Sequence, residues 1–265
     1  MTALLDELLA LAVRLADDAA ALLLRGLERD RVVVGTKSTV TDMVTEIDRA
    51  SEALIVEGLR AARPDDAVVG EEGADHAGTS SVRWVIDPID GTTNYLYGLP
   101  GFAVSIGAEV DGEPAVGVVH VPLHADVFTA VRGAGAQRNG RAIHVSDKAD
   151  LPTALVGTGF SYDPTRRRAQ ATVLERVLPR IRDVRRSGAA SVDLCSVACA
   201  RVDAYYEVGL APWDWAAGAL IAREAGAEVG DLEGGPPSPG FTLAAPAPLF
   251  PLLRDLLREA DAHNV

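Results

Sequence analysis

The sequence predicts a layered α/β fold in which an antiparallel N-terminal sheet is followed by a smaller C-terminal sheet. Leucine and alanine recur at helical spacing near the N-terminus, and short apolar runs joined by turns then continue to about residue 150. After that point, strand-like and helix-like segments alternate. Runs of short strands favour antiparallel pairing, whereas alternation favours α/β layers. We therefore predict an N-terminal subdomain, 1–150, and a C-terminal subdomain, 151–265.

The elements of the N-terminal subdomain follow from periodicity and from turn residues. Helices are predicted over 3–28 and 44–62, because apolar residues recur every three or four positions and Pro64 follows the second helix. The turns are predicted at Asp111-Gly112-Glu113 and at Asn139-Gly140. The predicted strands are AVVG, RWVID (which ends at Asp87), FAVSIGAEV, AVGVVHV, DVFTAV and the two arms of QRNGRAIHV.

The C-terminal subdomain alternates between the two kinds of element. The segments ALVGTG, DAYYEV and FTLAAP are predicted strands, and DLEGGPPSPG is a predicted loop because of its glycine and proline content. Helices are predicted over 165–180, 189–201, 213–225 and 248–261. This order predicts helices packed against a sheet.

Composition narrows the classes of function. The chain has 265 residues and a formal net charge of −13, which argues against nucleic-acid binding and against adhesion to an anionic membrane. Charged residues interrupt the apolar N-terminus, so no secretory signal is predicted. No apolar run approaches the roughly 20 residues of a membrane span. We expect a cytoplasmic protein.

Four carboxylates occupy positions that indicate a metal site. Glu71 follows a short apolar strand, Asp87 and Asp90 flank a Pro-Ile pair at the end of a buried strand, and Asp214 precedes an apolar helix. Taken singly, each has an ordinary structural explanation as a turn former or a helix cap. Asp87 and Asp90, two carboxylates at the end of a buried strand, would repel by several kcal/mol in a low dielectric, and no Lys or Arg occurs within 84–98. Oxygen-ligated Mg²⁺ would remove this repulsion.

The segment that follows these acids is suited to an anion. The sequence GTTN, 91–94, predicts a short helix or a tight turn that begins at a glycine. Free N–H groups at a helix start bind phosphate, and Gly91 permits close approach of the backbone. Thr92 adds a hydroxyl group. Carboxylates for metal ions beside donors for phosphate indicate metal-assisted phosphoryl hydrolysis.

These motifs resemble those of the inositol monophosphatase family of Mg²⁺-dependent, lithium-sensitive phosphatases, and most of all bacterial inositol-1-monophosphatase. The two signatures of that family are similar to WVIDPIDGTTNY, 84–95, and PWDWAAGALIAREAG, 212–226. Weaker similarity is seen in GEEG, KSTVTDMVTEID, RRSGAASVDLC and DAYYEVG. The resemblance implies an αβαβα sandwich, as in fructose-1,6-bisphosphatase, and a homodimer.

The resemblance also implies ligands for two or three Mg²⁺ ions. A first ion would be bound by Glu71, Asp87 and the carbonyl group of Ile89. A second would be bound by Asp87, Asp90 and Asp214, and a third by Glu71 and water. Li⁺ is implied as an inhibitor.

The remaining implied roles concern phosphate, water and the alcohol of the substrate. Gly91 and Thr92 would bind phosphate, and Asp48 would orient Thr92. Glu71 and Thr92 would orient or deprotonate the attacking water. The implied contacts with substrate hydroxyl groups are Asp90, Ala190 and Glu207.

The expected reaction is hydrolysis of a phosphate monoester, with myo-inositol monophosphate as the leading substrate, by direct attack of a metal-activated water. Histidinol phosphate, fructose-1,6-bisphosphate and a 3′-phosphonucleotide are alternative substrates. A regulatory binding protein that has lost turnover and a plain metal-binding protein are alternatives outside catalysis. The sequence leaves open the roles of Lys37, Arg185 and Arg186 and the identity of any regulatory partner.

Overall fold

The computed structural model of the chain describes residues 2–27, 33–36 and 43–265. Lys37 lies outside the described residues, so its role stays open. Two short antiparallel strands precede the second helix, β1 (Val33–Thr36) and β2 (Met43–Thr45), so that helix begins at Glu46 and not at residue 44.

Seven α-helices occur in the described part of the chain, and all six predicted helices are among them. Asp163 caps α4 by accepting the N–H groups of Thr165 and Arg166. The predicted helix over 189–201 ends early, because Ala200 takes a left-handed φ of 59°. The helices are α1 (Thr2–Leu27), α2 (Glu46–Ala62), α3 (Thr92–Tyr97), α4 (Pro164–Val177), α5 (Ala190–Ala198), α6 (Pro212–Glu224) and α7 (Phe250–Glu259).

The N-terminal sheet has eight strands, in the order β10-β9-β8-β7-β6-β5-β3-β4. All neighbours are antiparallel except β3 and β5, so the prediction of a largely antiparallel sheet is confirmed. Its strands are β3 (Ala67–Gly70), β4 (Asp75–His76), β5 (Val82–Asp90), β6 (Ala103–Val110), β7 (Glu113–Val121), β8 (Asp126–Val131), β9 (Gly135–Arg138) and β10 (Arg141–Ala142).

The C-terminal sheet has five strands, in the order β12-β11-β13-β15-β14. Strand β11 is parallel to both β12 and β13, and the other pairs are antiparallel. Strands β12 and β14 are absent from the sequence prediction, because β12 has three residues of which two are charged, and β14 has four residues that include a glutamate and a glycine. The five are β11 (Leu155–Thr158), β12 (Asp183–Arg185), β13 (Ala204–Glu207), β14 (Ala227–Gly230) and β15 (Thr242–Pro246).

The elements stack in five layers. Helices α1 and α2 cover one face of the eight-stranded sheet, α5 and α6 lie between the two sheets, and α4 and α7 cover the far face of the five-stranded sheet. The predicted layered α/β fold is thereby confirmed. The first sheet ends at Ala142 and the second begins at Leu155; the subdomain boundary at residue 150 stays a prediction.

Two glycines let α6 approach the first sheet closely. Gly107 of β6 and Gly117 of β7 are paired directly across the sheet. A methyl group on Gly117 would lie 2.8 Å from the carbonyl oxygen of Ala217 in α6, and one on Gly107 would lie 3.2 Å from the Ala216 side chain. This contact places the N-terminus of α6, and with it Asp214, beside β5.

Among the described residues, no helix combines the length and the apolar character that crossing a bilayer needs.

Candidate active site

The irregular end of β5 brings Asp87 and Asp90 together. The prediction that this strand ends at Asp87 is wrong, because β5 continues to Asp90. Asp87 pairs with Ser105 and Asp90 pairs with Ala103, so three steps on β5 face two steps on β6. In a regular strand, residues three apart point to opposite faces, and a bulge of this kind re-aims the second side chain. Pro88 lies within the bulge, where its missing N–H is tolerated.

Glu71 reaches the same place through the parallel pairing of β3 with β5. Gly70 is paired with Ile86, so the next residues along the two strands, Glu71 and Asp87, emerge side by side. Glu71, Asp87 and Asp90 all line one cavity of about 300 Å³. The turn that carries Glu71 is held by Glu52 of α2, whose carboxylate accepts the N–H groups of Glu72 (2.8 Å) and Ala74 (3.0 Å).

Asp214 lines this cavity from the first turn of α6, where it is the third residue of the helix. Its carboxylate accepts the Ala211 N–H at 2.7 Å, so it also caps the helix. The carbonyl oxygen of the neighbouring Trp213 lies 3.4 Å from the Ser105 hydroxyl, which links α6 to the strand position opposite Asp87. One carboxylate oxygen each from Asp87, Asp90 and Asp214 lies within 4.8 Å of the others.

Burial and the charges of neighbouring acids raise the pKa values of Asp87, Asp90 and Asp214. Loss of hydration raises the pKa of Asp87 well above its ordinary value, and the charges of Glu71, Asp90 and Asp214 raise it further. The same loss of hydration raises the pKa of Asp214 strongly and that of Asp90 to about 6. In the described part of the chain, none of these three aspartates forms an ion pair with Lys or Arg.

This donor set fits Mg²⁺. The ion takes hard oxygen ligands and is usually bound by one or two carboxylates together with water and substrate phosphate. Three converging carboxylates that raise one another's pKa would be relieved by divalent charge. Ile89, between Asp87 and Asp90 in the chain, also lines the cavity, and its carbonyl oxygen lies 3.1 Å from the Thr92 hydroxyl.

Helix α5 holds Asp90 in a defined orientation. The Ala190 N–H donates to Asp90 Oδ1 at 3.2 Å, and the Ser191 N–H and hydroxyl donate to Oδ2 at 2.7 and 2.5 Å. The N-cap residue of α5, Ala189, has no side chain that could accept these N–H groups. Asp90, at the end of β5, therefore caps the helix in its place. These bonds oppose the effect of burial on the pKa of Asp90.

The predicted phosphate loop follows Asp90 directly. Gly91 has φ = +87°, and a side chain there would crowd Gly101 O at 3.1 Å and Gly188 O at 3.2 Å, so both conformation and space require glycine. The Thr92 hydroxyl lies 3.3 Å from Asp48 Oδ2 and 3.1 Å from Ile89 O. Asp48, Gly91 and Thr92 thus lie together beside the acids.

The opposite wall of the cavity carries Glu207. The Tyr205 hydroxyl donates to Glu207 Oε2 at 2.6 Å, and burial raises the pKa of Glu207 to about 7. Ala190 lines the same cavity, with its N–H committed to Asp90. Behind this wall, the Ser187 hydroxyl donates to buried Asp193 at 2.6 Å, and burial raises the pKa of Asp193 to about 8.

The two arginines whose roles were open occupy different places. Arg185 donates to Asp183 at 2.8 Å and is half exposed. Arg186 lines the cavity. The adjacency of Arg185 and Arg186 in the sequence therefore does not mean a shared role.

Glu52 and Ser191 support the site but are missing from the sequence prediction. Glu52 follows Asp48 by four positions on the buried face of α2, so helical periodicity could have identified it. Ser191 carries no such signal, because its partner Asp90 is 101 positions away in the sequence.

We expect Asp214→Asn to lower Mg²⁺-dependent phosphate release by about a hundredfold or more while the protein still folds. An asparagine oxygen can still accept the Ala211 N–H, whereas Asp214→Ala also loses the cap, at about 1 kcal/mol. Phosphate release and thermal unfolding measure the two effects. The exposed acid of α7 provides the control, Asp255→Asn. Near-normal activity of Asp214→Asn would contradict the ligand assignment.

Comparison with known proteins agrees with this arrangement. The model of the inositol monophosphatase family matches residues 4–261. The chain is 44% identical over 233 residues to Nus factor SuhB of Pasteurella multocida, covering 87% of each protein.

Two solved structures extend the comparison to the fold. Extragenic suppressor protein suhB from Bartonella henselae superposes with a TM-score of 0.90 at 34% identity, over 96% of this chain and 99% of that one. Inositol monophosphatase from Anabaena superposes with a TM-score of 0.85 at 36% identity, over 96% of both chains. With the matched signatures and the converging acids, these findings show that the chain belongs to the inositol monophosphatase family.

Proposed function

We propose that this chain hydrolyses a phosphate monoester, with myo-inositol monophosphate as the leading substrate. The observation that carries the proposal is the meeting of Asp87, Asp90 and Asp214, with carboxylate oxygens within 4.8 Å, in a cavity that Gly91 and Thr92 also line. Acids that need divalent cations and donors that suit phosphate occur together there. Membership of the family supports the same reaction class.

The metal ligands in this proposal are Glu71, Asp87, Asp90, Asp214 and the Ile89 carbonyl. Bound Mg²⁺ would lower the pKa of the attacking water, shield the phosphate and stabilise the leaving alkoxide. The four carboxylates carry −4, and two or three Mg²⁺ ions carry +4 to +6, which leaves 0 to +2 to face a phosphate dianion.

The chain's own groups place the reactants. Gly91 and Thr92 would donate to the phosphate oxygens, and Thr92, held by Asp48 at 3.3 Å, would orient the attacking water. Glu71 would accept a proton from that water. The direct attack leaves no phosphoryl group on the protein.

The alcohol side of the cavity favours a polyol. Glu207 and Asp90 are acceptors that hydroxyl groups can satisfy, and Ala190 lines the cavity with them. Histidinol phosphate and fructose-1,6-bisphosphate remain the alternative substrates of the same reaction class.

The decisive experiment measures phosphate release from inositol phosphates, histidinol phosphate and fructose-1,6-bisphosphate after metal removal and again after Mg²⁺ is restored. We expect release only with Mg²⁺ and the highest kcat/KM for an inositol monophosphate. A higher kcat/KM for another ester would make that ester the leading substrate. No phosphate release from any ester would reject the enzymatic proposal.

Lithium is expected to inhibit this activity in the millimolar range, as the resemblance to the lithium-sensitive family implies. A titration of Li⁺ at several Mg²⁺ concentrations tests this. Inhibition that disappears as soon as Mg²⁺ is raised would indicate simple competition, and no inhibition at any Mg²⁺ concentration would contradict the prediction.

A regulatory binding function is the second candidate, and the relatives favour it, since several at 41–44% identity are named Nus factor SuhB. Such a protein would keep the metal site without turnover. Mg²⁺ binding measured by calorimetry, together with the absence of phosphate release, would identify it.

With the enzymatic proposal we also propose a homodimer, testable by light scattering, and a cytoplasmic location. We further propose no direct contact with nucleic acid, in line with the charge of −13.

A further inference from the structure

One wall of the cavity is a short loop, residues 159–163, between β11 and α4. Gly159, Phe160, Ser161 and Tyr162 line the cavity from this loop. Gly159 has no side chain, and a methyl group there would overlap the Glu207 carboxylate. The loop therefore packs directly against the side of the cavity that faces the alcohol.

The loop is firmly braced on its outer side. The Ser161 N–H donates to the side-chain oxygen of buried Gln170 at 2.8 Å, and Arg167 Nε donates to the Ser161 carbonyl at 2.9 Å. The Asp163 N–H donates to the Ser161 hydroxyl at 3.1 Å. The side chains that face the cavity are thus held by a fixed backbone.

The inner side is fixed by Tyr162. Its hydroxyl lies 2.9 Å from the hydroxyl of Thr93, in the first turn of α3. That turn starts with Gly91 and Thr92, the residues beside the acids. The Tyr162 side chain therefore reaches from the C-terminal loop to the phosphate loop along the lining of the cavity.

We propose that Tyr162, tethered to Thr93, is the specificity-determining residue that limits the leaving alcohol to a compact one. The inference rests on the proposed phosphatase function and deepens it. A cavity of about 300 Å³ lies at the lower end of the range for small-molecule sites, about 300–1,000 Å³. An alcohol that carries a nucleobase would need the space that the ring fills.

The test compares two esters, glycerol 2-phosphate as the compact one and adenosine 3′-monophosphate as the bulky one. In Tyr162→Ala we expect the ratio of kcat/KM, bulky over compact, to rise about tenfold or more. Tyr162→Phe and Thr93→Val each remove the hydroxyl contact but keep the ring, so the ratio should rise less. Tyr97→Ala, which removes a tyrosine that is 65% exposed, should leave the ratio unchanged.

An unchanged ratio in a Tyr162→Ala protein with the wild-type melting temperature overturns the proposal, because a merely structural tyrosine would alter stability alone. Equal kcat/KM of the wild type for both esters also overturns it. If Tyr162→Ala does not fold, the ratio in Tyr162→Phe and Thr93→Val decides in the same way.

Failure of the proposed function has a separate signature, namely a wild type that releases phosphate from neither ester. Because neither ester is then hydrolysed, the dissociation constants of both esters can be measured by calorimetry in the presence of Mg²⁺. A bulky-over-compact affinity ratio that rises in Tyr162→Ala supports the size limit without turnover. An unchanged ratio, or no binding of either ester, overturns it.

Discussion

Asp87→Asn is expected to lower Mg²⁺-dependent phosphate release by about a thousandfold or more, and at the same time to raise the melting temperature of the metal-free protein. Activity falls because Asp87 is the carboxylate shared by both proposed metal positions. Stability rises because the substitution removes one of several buried charges that repel. The amide oxygen of asparagine can still accept the Ile89 N–H, as Asp87 Oδ1 does at 3.0 Å.

The stabilisation should depend on pH with a definite sign. Burial and the neighbouring acids raise the pKa of Asp87, so the folded protein binds protons more tightly than the unfolded chain, and stability is lost as pH rises through the raised pKa. The gain from Asp87→Asn should therefore be larger at pH 8 than at pH 5.

Thermal unfolding in EDTA at both pH values, together with phosphate assays, measures these effects. Asp75→Asn, an exposed acid of the same sheet, is the matched control and should change neither quantity. A metal-free Asp87→Asn protein that melts below the wild type would show that the carboxylate is compensated within the protein.

Gly117→Ala is expected to have the second largest effect, because it acts on stability and on the site together. The backbone conformation of Gly117 has no positive φ, so the cost arises only from space. The added methyl group would lie 2.8 Å from the carbonyl oxygen of Ala217, a main-chain atom that cannot rotate away. Overpacking of this kind costs about 1–3 kcal/mol.

The displaced helix carries Asp214 at its N-terminus, so the metal site should open as well. A shift of about 1 Å in a ligand can cost about a hundredfold in rate. We expect a lower melting temperature, weaker Mg²⁺ binding by calorimetry and lower kcat. Gly240→Ala, at an exposed glycine whose nearest neighbour is a flexible serine side chain, is the control. If Gly117→Ala binds Mg²⁺ with wild-type affinity, the prediction that the packing of α6 determines the geometry of the site is wrong.

Periodicity identified most of the fold, because helices and strands with one buried face repeat their apolar residues at 3.6 or 2 positions. The six predicted helices and the antiparallel hairpins have this property. Strands β12 and β14 lack it. They are short and contain charged residues, and they exist because β11 and β15 offer them hydrogen bonds.

The candidate site likewise has features that the sequence predicted and features that it did not. The grouping of Asp87, Asp90 and Asp214 was predictable, because Asp87, Asp90 and the phosphate loop are contiguous and Asp214 lies in the second signature. The sequence prediction placed the end of β5 wrongly, because a bulge depends on the register with β6, which is a pairing between strands. The bulge inserts one extra residue opposite β6, and the apolar run of β5 alone does not show where that insertion falls.

The residues that hold and border those acids could not be predicted, because they come from distant segments of the chain. Ser191 supports Asp90 across 101 positions, and Tyr162 meets Thr93 across 69. Gly117 determines how closely α6 brings Asp214. Each contact depends on the packing of the two sheets around α5 and α6. The sequence thus determined the chemistry available to the chain, while packing determined the orientation of the acids and the size of the cavity, because those depend on distances between segments far apart in the chain.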